Sequence, residues 1–210
     1  MSVTPMFPLE VAMLPGEELP LRIFEPRYAA LVRDCLAADD PVFGVVLIEA
    51  GREVGGGDRR SRVGVLARIA ECAATGEGRY RMNCPLGERI RVTEWLDDDP
   101  YPRADVEPWP DEPDAGVDQV RLADVENRII ALFERIATAR GIEIRDRDGL
   151  LARAEPDLPK RLYALANRLP MGPADRYAVL AAPGPASRLD ALSEAVDTVT
   201  ARVEFQLSGE

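Results

Sequence analysis

The sequence predicts an α+β fold in two lobes, a β-rich N-terminal lobe with one long helix followed by a C-terminal helical bundle, and three observations carry that prediction. Before residue 109, short runs rich in β-branched residues alternate with turns containing glycine and proline. Beyond residue 118, apolar residues recur at the spacing of a helix face. Between the two, "PWPDEPDAGVD" at Pro108–Asp118 is rich in proline and acids and poor in apolar residues, the composition of a connector. The expected boundaries are 1–109 for the first lobe, 110–118 for an acidic linker and 119–210 for the second lobe.

The elements follow in order. Leu14–Asp40 holds a Pro-Gly turn, a short apolar run and an amphipathic helix. Tyr28, Leu31, Val32, Cys35 and Leu36 are spaced i, i+3, i+4, i+7, i+8, which predicts a helix from about Pro26 to Ala38 with Pro26 in its first turn. "VFGVVLI" at Val42–Ile48 has the length and branching of a buried strand, and the Gly-rich run from Glu49 to Arg62 is expected to be a mobile connector. Val63–Thr75, Gly78–Leu86 and Glu88–Asp98 are expected as three antiparallel strands of a meander, and Tyr101–Trp109 as an edge strand because of its prolines. In the second lobe, Val120, Ala123, Ile129, Ile130, Phe133, Ile136 and Ala137 trace one helix. Residues 157–169, 172–182 and 185–207 give three more, punctuated by Pro170, Gly172, Pro183 and Gly184.

Composition removes many function classes. The 210 residues contain no histidine, the commonest general base and metal ligand, and a single lysine, Lys160, on an expected surface helix. Cys35, Cys72 and Cys84 form no Cys-x-x-Cys pair and are expected to be buried thiols. No catalytic residue, metal or cofactor is therefore expected. A net charge of −11, spread over both halves, opposes nucleic-acid binding. No apolar run approaches the roughly 20 residues of a membrane helix. The first 19 residues lack a basic segment and are broken by Pro5, Pro8 and Pro15, unlike a signal peptide, so a cytoplasmic location is expected.

An ordered set of segments carries a resemblance: "FPLEVAMLPGEELPLRIFEPRY" at Phe7–Tyr28, "FGVVLI" at Phe43–Ile48, "GREVG" at Gly51–Gly55, "VGVLARI" at Val63–Ile69, "GRYRMNC" at Gly78–Cys84 and, later, Leu165–Leu192. Together they resemble the Lon protease N-terminal (substrate-recognition) domain family over nearly the whole chain. The resemblance implies a PUA-like β-barrel joined to a helix bundle, and protein clients or a protease partner. The 210 residues contain no Gly-x-x-x-x-Gly-Lys-Ser/Thr sequence, so a stand-alone form without ATPase or peptidase modules is expected. The function expected on these grounds is a non-catalytic module that binds exposed apolar segments of client or partner proteins. An RNA-binding PUA-like protein and a small ligand-binding protein or enzyme are the rival readings.

Within "IFEPRY", Glu25, Arg27 and Tyr28 are expected to be structural, with Glu25 satisfying helix-start amides, Arg27 pairing with an acid of the barrel, and Phe24 and Tyr28 in the core. "GREVGGGD" at Gly51–Asp58 is expected to be a strand connector rather than a phosphate loop, and Asp97, Asp98 and Asp99 a solvated turn rather than a metal site. A binder of unfolded chains needs apolar contacts and free strand edges. Leu14, Pro15, Phe24 and Met82 are the candidate peptide-binding residues.

Overall fold

The computed structural model describes residues 3–50, 59–113 and 116–208. The chain divides after Pro110 into two compact units. "GREVGGGD" lies outside the described residues.

The first unit contains β1 (Val3–Leu9), β2 (Glu18–Ile23), α1 (Pro26–Ala37), β3 (Val42–Ala50), β4 (Arg59–Arg68), β5 (Glu71–Gly76), β6 (Arg79–Leu96) and β7 (Arg103–Pro108). β1 and β3 pair in parallel, and the other ladders are antiparallel. β6, β4, β3, β1 and β7 form a closed cycle of ladders, because β7 pairs both β1 and β6. The first half of β6 leaves this cycle and forms a three-stranded sheet between β2 and β5.

The pattern of apolar residues explains these faces. Met6, Val46, Ile90, Val92 and Ala104 make one buried cluster. On the opposite face of β1 and β3, Phe7 meets Tyr28 of α1 with ring centroids 4.2 Å apart and Phe43 at 6.1 Å. β3 is thus covered on both sides, which is why its sequence is a continuous apolar run rather than an alternating one. Gly64 of β4 sits where a Cβ would come within 2.2 Å of the Val45 carbonyl oxygen, so only glycine fits.

The helix at Pro26 forms where the spacing predicts it, and four strand expectations are corrected. β1 and β2 are strands despite Pro5, Pro8 and Pro20. Pro5 lies where β1 ladders with β7 alone and Pro8 where it ladders with β3 alone, so neither ring breaks a two-sided ladder. Residues 63–75 form two strands, and β4 begins at Arg59, inside the expected connector. "PLG" is no turn. β6 runs through it as one strand of 18 residues, absorbing Gly87 at a register shift against β4. β7 is an interior strand, because Pro102 precedes it and Pro108 takes only the last position of its ladder with β6, where neither interrupts the pairing.

The second unit contains α2 (Gln119–Ala139), α3 (Arg147–Leu150), α4 (Leu158–Arg168), α5 (Pro173–Ala181) and α6 (Pro185–Ser208). The Asp118 side chain caps α2, accepting from the Val120 N–H at 2.8 Å. Leu122, Val125, Ile129 and Leu132 of α2, Leu162 and Leu165 of α4, Val179 and Leu180 of α5, and Leu189, Leu192, Val196 and Val199 of α6 are buried. Two polar groups are buried with them. Glu126 receives Arg161 and Arg153, and Arg188, with no exposed surface, pairs with Asp111 and stacks on Tyr163 at 3.9 Å. The expected linker is held at both ends: Pro108 ends β7, the Trp109 N–H donates to the Arg89 carbonyl, and the Glu112 N–H donates to the Pro183 carbonyl.

Candidate functional site: an apolar cleft at the start of the first helix

The segment from β2 into α1 builds an open apolar cleft in the first unit. Leu19, Leu21 and Ile23 are buried, while Glu18, Pro20 and Arg22 are exposed, the alternation of a half-buried strand. Phe24 follows this strand and Glu25 starts the helix, so the chain turns where its side chains reach solvent. The cleft is lined by Phe7, Leu9, Leu21, Ile23, Phe24 and Tyr28, with Arg22 and Glu25 at its polar margin. Its volume is about 110 Å³. That is of the order of the ~150 Å³ cavity that accommodates a benzene ring. Phe24 is 64% exposed, against 4% for Tyr28.

The candidate residues separate accordingly. Phe24, expected in the core, stands in solvent and lines the cleft. Leu14 and Met82 are 0% and 2% exposed, so both are core residues and offer no surface to a peptide. Pro15 is half-buried in the turn before β2, where the Glu17 N–H donates to the Leu14 carbonyl and Gly16 takes a φ of +82°. Outside that turn lie all the lining residues of the cleft.

"IFEPRY" also needs correction in detail. Glu25 holds the N-cap position, but its side chain makes no capping hydrogen bond. The carboxylate instead accepts from Arg27 Nε at 3.0 Å. The guanidinium of Arg27 in turn lies 4.4 Å from the centre of the Tyr28 ring. Glu25 is therefore an acid that Arg27 finds two residues away. Tyr28 is core, as its helical position requires.

Other polar groups are tied into the scaffold. Asp98 accepts both ends of the Arg60 guanidinium at 3.0 and 2.8 Å, and Asp97 offers its carbonyl to Arg103. Among the described residues no group of three or more Cys, Asp or Glu is placed to hold a metal ion. Burial pushes the Cys35 and Cys84 thiols up to about 12. Cys72, expected to be buried, is exposed on β5. The Tyr101 hydroxyl donates to Asp34 at 2.7 Å and is held well above the usual phenol range, first by burial and then by that hydrogen bond. No helix among the described residues is long and apolar enough to cross a membrane.

Sequence reading missed Phe7, Leu9, Leu21, Arg22 and Ile23 as neighbours of Phe24. The signal for β2 was present in the alternation of "LPLRI", where Leu19, Leu21 and Ile23 share one face, but Pro20 masked it.

A mixed sheet followed by a unit of helices is the fold this chain shares with Lon N-terminal domains. The crystal structure of a Lon N-terminal domain protein from Xanthomonas campestris matches at a TM-score of 0.65 and 25% identity, over 91% of this chain and 97% of that one. The N-terminal domain of the Mycobacterium avium complex Lon protease shares the fold at a TM-score of 0.52 and 16% identity, over 100% of this chain and 99% of that one. The chain belongs to the ATP-dependent protease La (LON) substrate-binding domain family, which matches residues 3–198. Lon protease 2 of Myxococcus xanthus is 33% identical over 108 residues, 50% of this chain and 13% of the relative. The Lon protease of Anaeromyxobacter dehalogenans is 31% identical over 133 residues, 62% of this chain and 15% of the relative. The match thus spans only a small part of either curated relative.

Proposed function

We propose that this chain is a non-catalytic recognition module that binds exposed apolar segments of client or partner proteins, and that the cleft around Phe24 is where it binds them. The observation that carries the reading is Phe24, a large aromatic 64% exposed at an apolar cleft lined by five further apolar residues. An aromatic held in solvent beside a pocket is the arrangement of an interface anchor, since burying it against a partner returns the hydrophobic free energy the folded monomer forgoes. Membership of a substrate-binding domain family supports the same reading. The closed cycle of five strands in turn supports reading the first unit as a PUA-like barrel.

The test is fluorescence anisotropy with a labelled, permanently unfolded reporter such as reduced and carboxymethylated α-lactalbumin. Phe24→Ala is expected to weaken binding by about tenfold or more, the value of one large apolar side chain, while leaving the denaturant midpoint unchanged. A Phe24→Ala protein that binds the reporter as tightly as the parent would overturn the assignment of the cleft.

A further inference from the structure

We propose that the outer edge of β5 is a second docking site, which takes an extended acidic segment of a partner protein by strand addition. The site rests on a different observation from the Phe24 cleft, with Arg22 at the margin of both.

The sheet β2–β6–β5 has two edges, and the register tells them apart. The Leu86 N–H donates to the Glu17 carbonyl at 2.8 Å, which turns Leu19, Leu21 and Ile23 of β2 toward Cys84, Met82 and Tyr80 of β6. Glu18, Pro20 and Arg22 therefore direct their backbone groups outward, and at the centre of that edge Pro20 has no N–H to offer. β2 is blocked. On the other side Arg81 and Asn83 turn toward Ala73 and Glu71, so Cys72 and Ala74 direct their N–H and C=O groups away from β6. Among the described residues β5 pairs with β6 alone. All six of its residues are exposed, and from Cys72 to Gly76 it carries no charge, no proline and no side chain larger than threonine. Over that stretch two usual guards of a sheet edge, charge and proline, are missing, and the ladder runs regularly from Glu71 to Ala74 before its shift at Gly76.

The side chains on the solvent face specify what would dock. Arg22 and Arg81 stand directly opposite one another in the ladder, and Arg79 projects on the same face two residues along. All three are exposed, and no ion pair with a carboxylate joins any of them among the described residues. Like charges in direct register repel, and this happens in a chain whose net charge is −11, where acids outnumber bases. Ala73 is the β5 neighbour of Arg81 and is too small to cover it. An added strand would lie two inter-strand spacings from β6, roughly 9–10 Å, within the combined reach of an arginine and a glutamate side chain. Glu71 sits at the other end of the edge beside Asn83, whose side chain is already bound to Glu18 at 2.8 Å. The acidic residue of the incoming strand is therefore placed beside Ala73 and excluded beside Glu71.

The experiment uses the full chain and two labelled ten-residue peptides of alternating polar and β-branched residues, one with Glu at the polar positions and one with Lys. The Glu peptide is expected to bind, with the Lys peptide weaker by at least about tenfold, the value of one charge-assisted contact. Arg81→Glu should cost a similar factor. Ala74→Pro, which removes an outward N–H, should abolish binding, while Phe24→Ala leaves it unchanged and so separates this site from the cleft. Saturation with the Glu peptide should also slow alkylation of Cys72, the exposed thiol on β5, and this readout serves if Ala74→Pro fails to fold. Equal binding of the two peptides, no binding of the Glu peptide, or wild-type binding by a folded Ala74→Pro protein would each overturn the proposal. A dimer in sedimentation that Ala74→Pro dissolves would overturn it too, since the edge would then belong to a second copy of this chain.

Discussion

Glu25 and Arg27 hold each other across the first turn of α1, with side chains 19% and 17% exposed. An ion pair this far from solvent is worth more than a surface pair, and Arg27 also covers the Tyr28 ring. Either Glu25→Ala or Arg27→Ala is expected to cost about 1 kcal/mol, and Tyr28→Ala, which empties the space against Phe7, about 3–5 kcal/mol. Urea midpoints measure all three, and reporter binding by the first two should stay within a factor of about three of wild type. If Glu25→Ala keeps its midpoint and loses the reporter, the pair belongs to the binding surface rather than to the helix start. Phe24, one residue earlier, is expected to behave in the opposite way. Neighbouring residues in one motif would then divide between stability and recognition.

At the scale of elements, the second unit depends on a buried cation. Arg188 of α6 is fully enclosed, and Asp111, 26% exposed, is its carboxylate partner, with Nη1 at 3.1 Å. Asp111→Ala would strand the guanidinium beside Tyr163. Removing one member of a fully buried pair costs about 3–5 kcal/mol, and the partial exposure of Asp111 lowers the expectation to about 2–4 kcal/mol. Thermal or urea unfolding followed by helical circular dichroism reads this directly, and a loss below about 0.5 kcal/mol would mean that water replaces the carboxylate. This contact also revises the acidic connector, because Asp111 is a structural residue whose charge the sequence shows and whose partner, 77 positions away, it conceals. The same limit applies to the strands. Pro85 and Gly87 look like a turn locally, yet ladders to β2 and β4 carry β6 straight through them. Long-range pairing overrides local propensity wherever enough ladder forms on either side.

For the whole molecule, the absence of histidine means that no side chain of ordinary pKa titrates between about pH 5 and 8, so stability should be nearly flat there. Above that range it should fall. Cys35 and Cys84, moved from 9.0 to about 12, and Tyr101, raised from 10.0, all keep their protons in the folded chain at a pH where the unfolded chain releases them. The stabilisation is complete below pH 9 and is lost as pH rises from about 9 toward 12. Urea midpoints at pH 7, 9 and 10.5 should show a level stretch and then a decline that Cys35→Ala with Cys84→Ala makes shallower. A midpoint that holds at pH 10.5 would show that these thiols and the phenol reach solvent.

By itself the sequence determined the two kinds of secondary structure and their order, the helix at Pro26, the helices of the second half other than the single turn α3, and the family, because each rests on local periodicity or on an ordered string of residues. Tertiary structure alone decided which strands pair, that β6 is single, that Leu14 and Met82 are core and that Phe24 is not. Burial is a property of what packs against a residue, and hydrophobicity read along the chain is the same for Met82, enclosed by β2 and β5, as for an apolar side chain at a cleft. The edge of β5 beside three arginines was likewise invisible, since it arises only when β6 brings Arg81 opposite Arg22 and leaves β5 with no second ladder partner among the described residues.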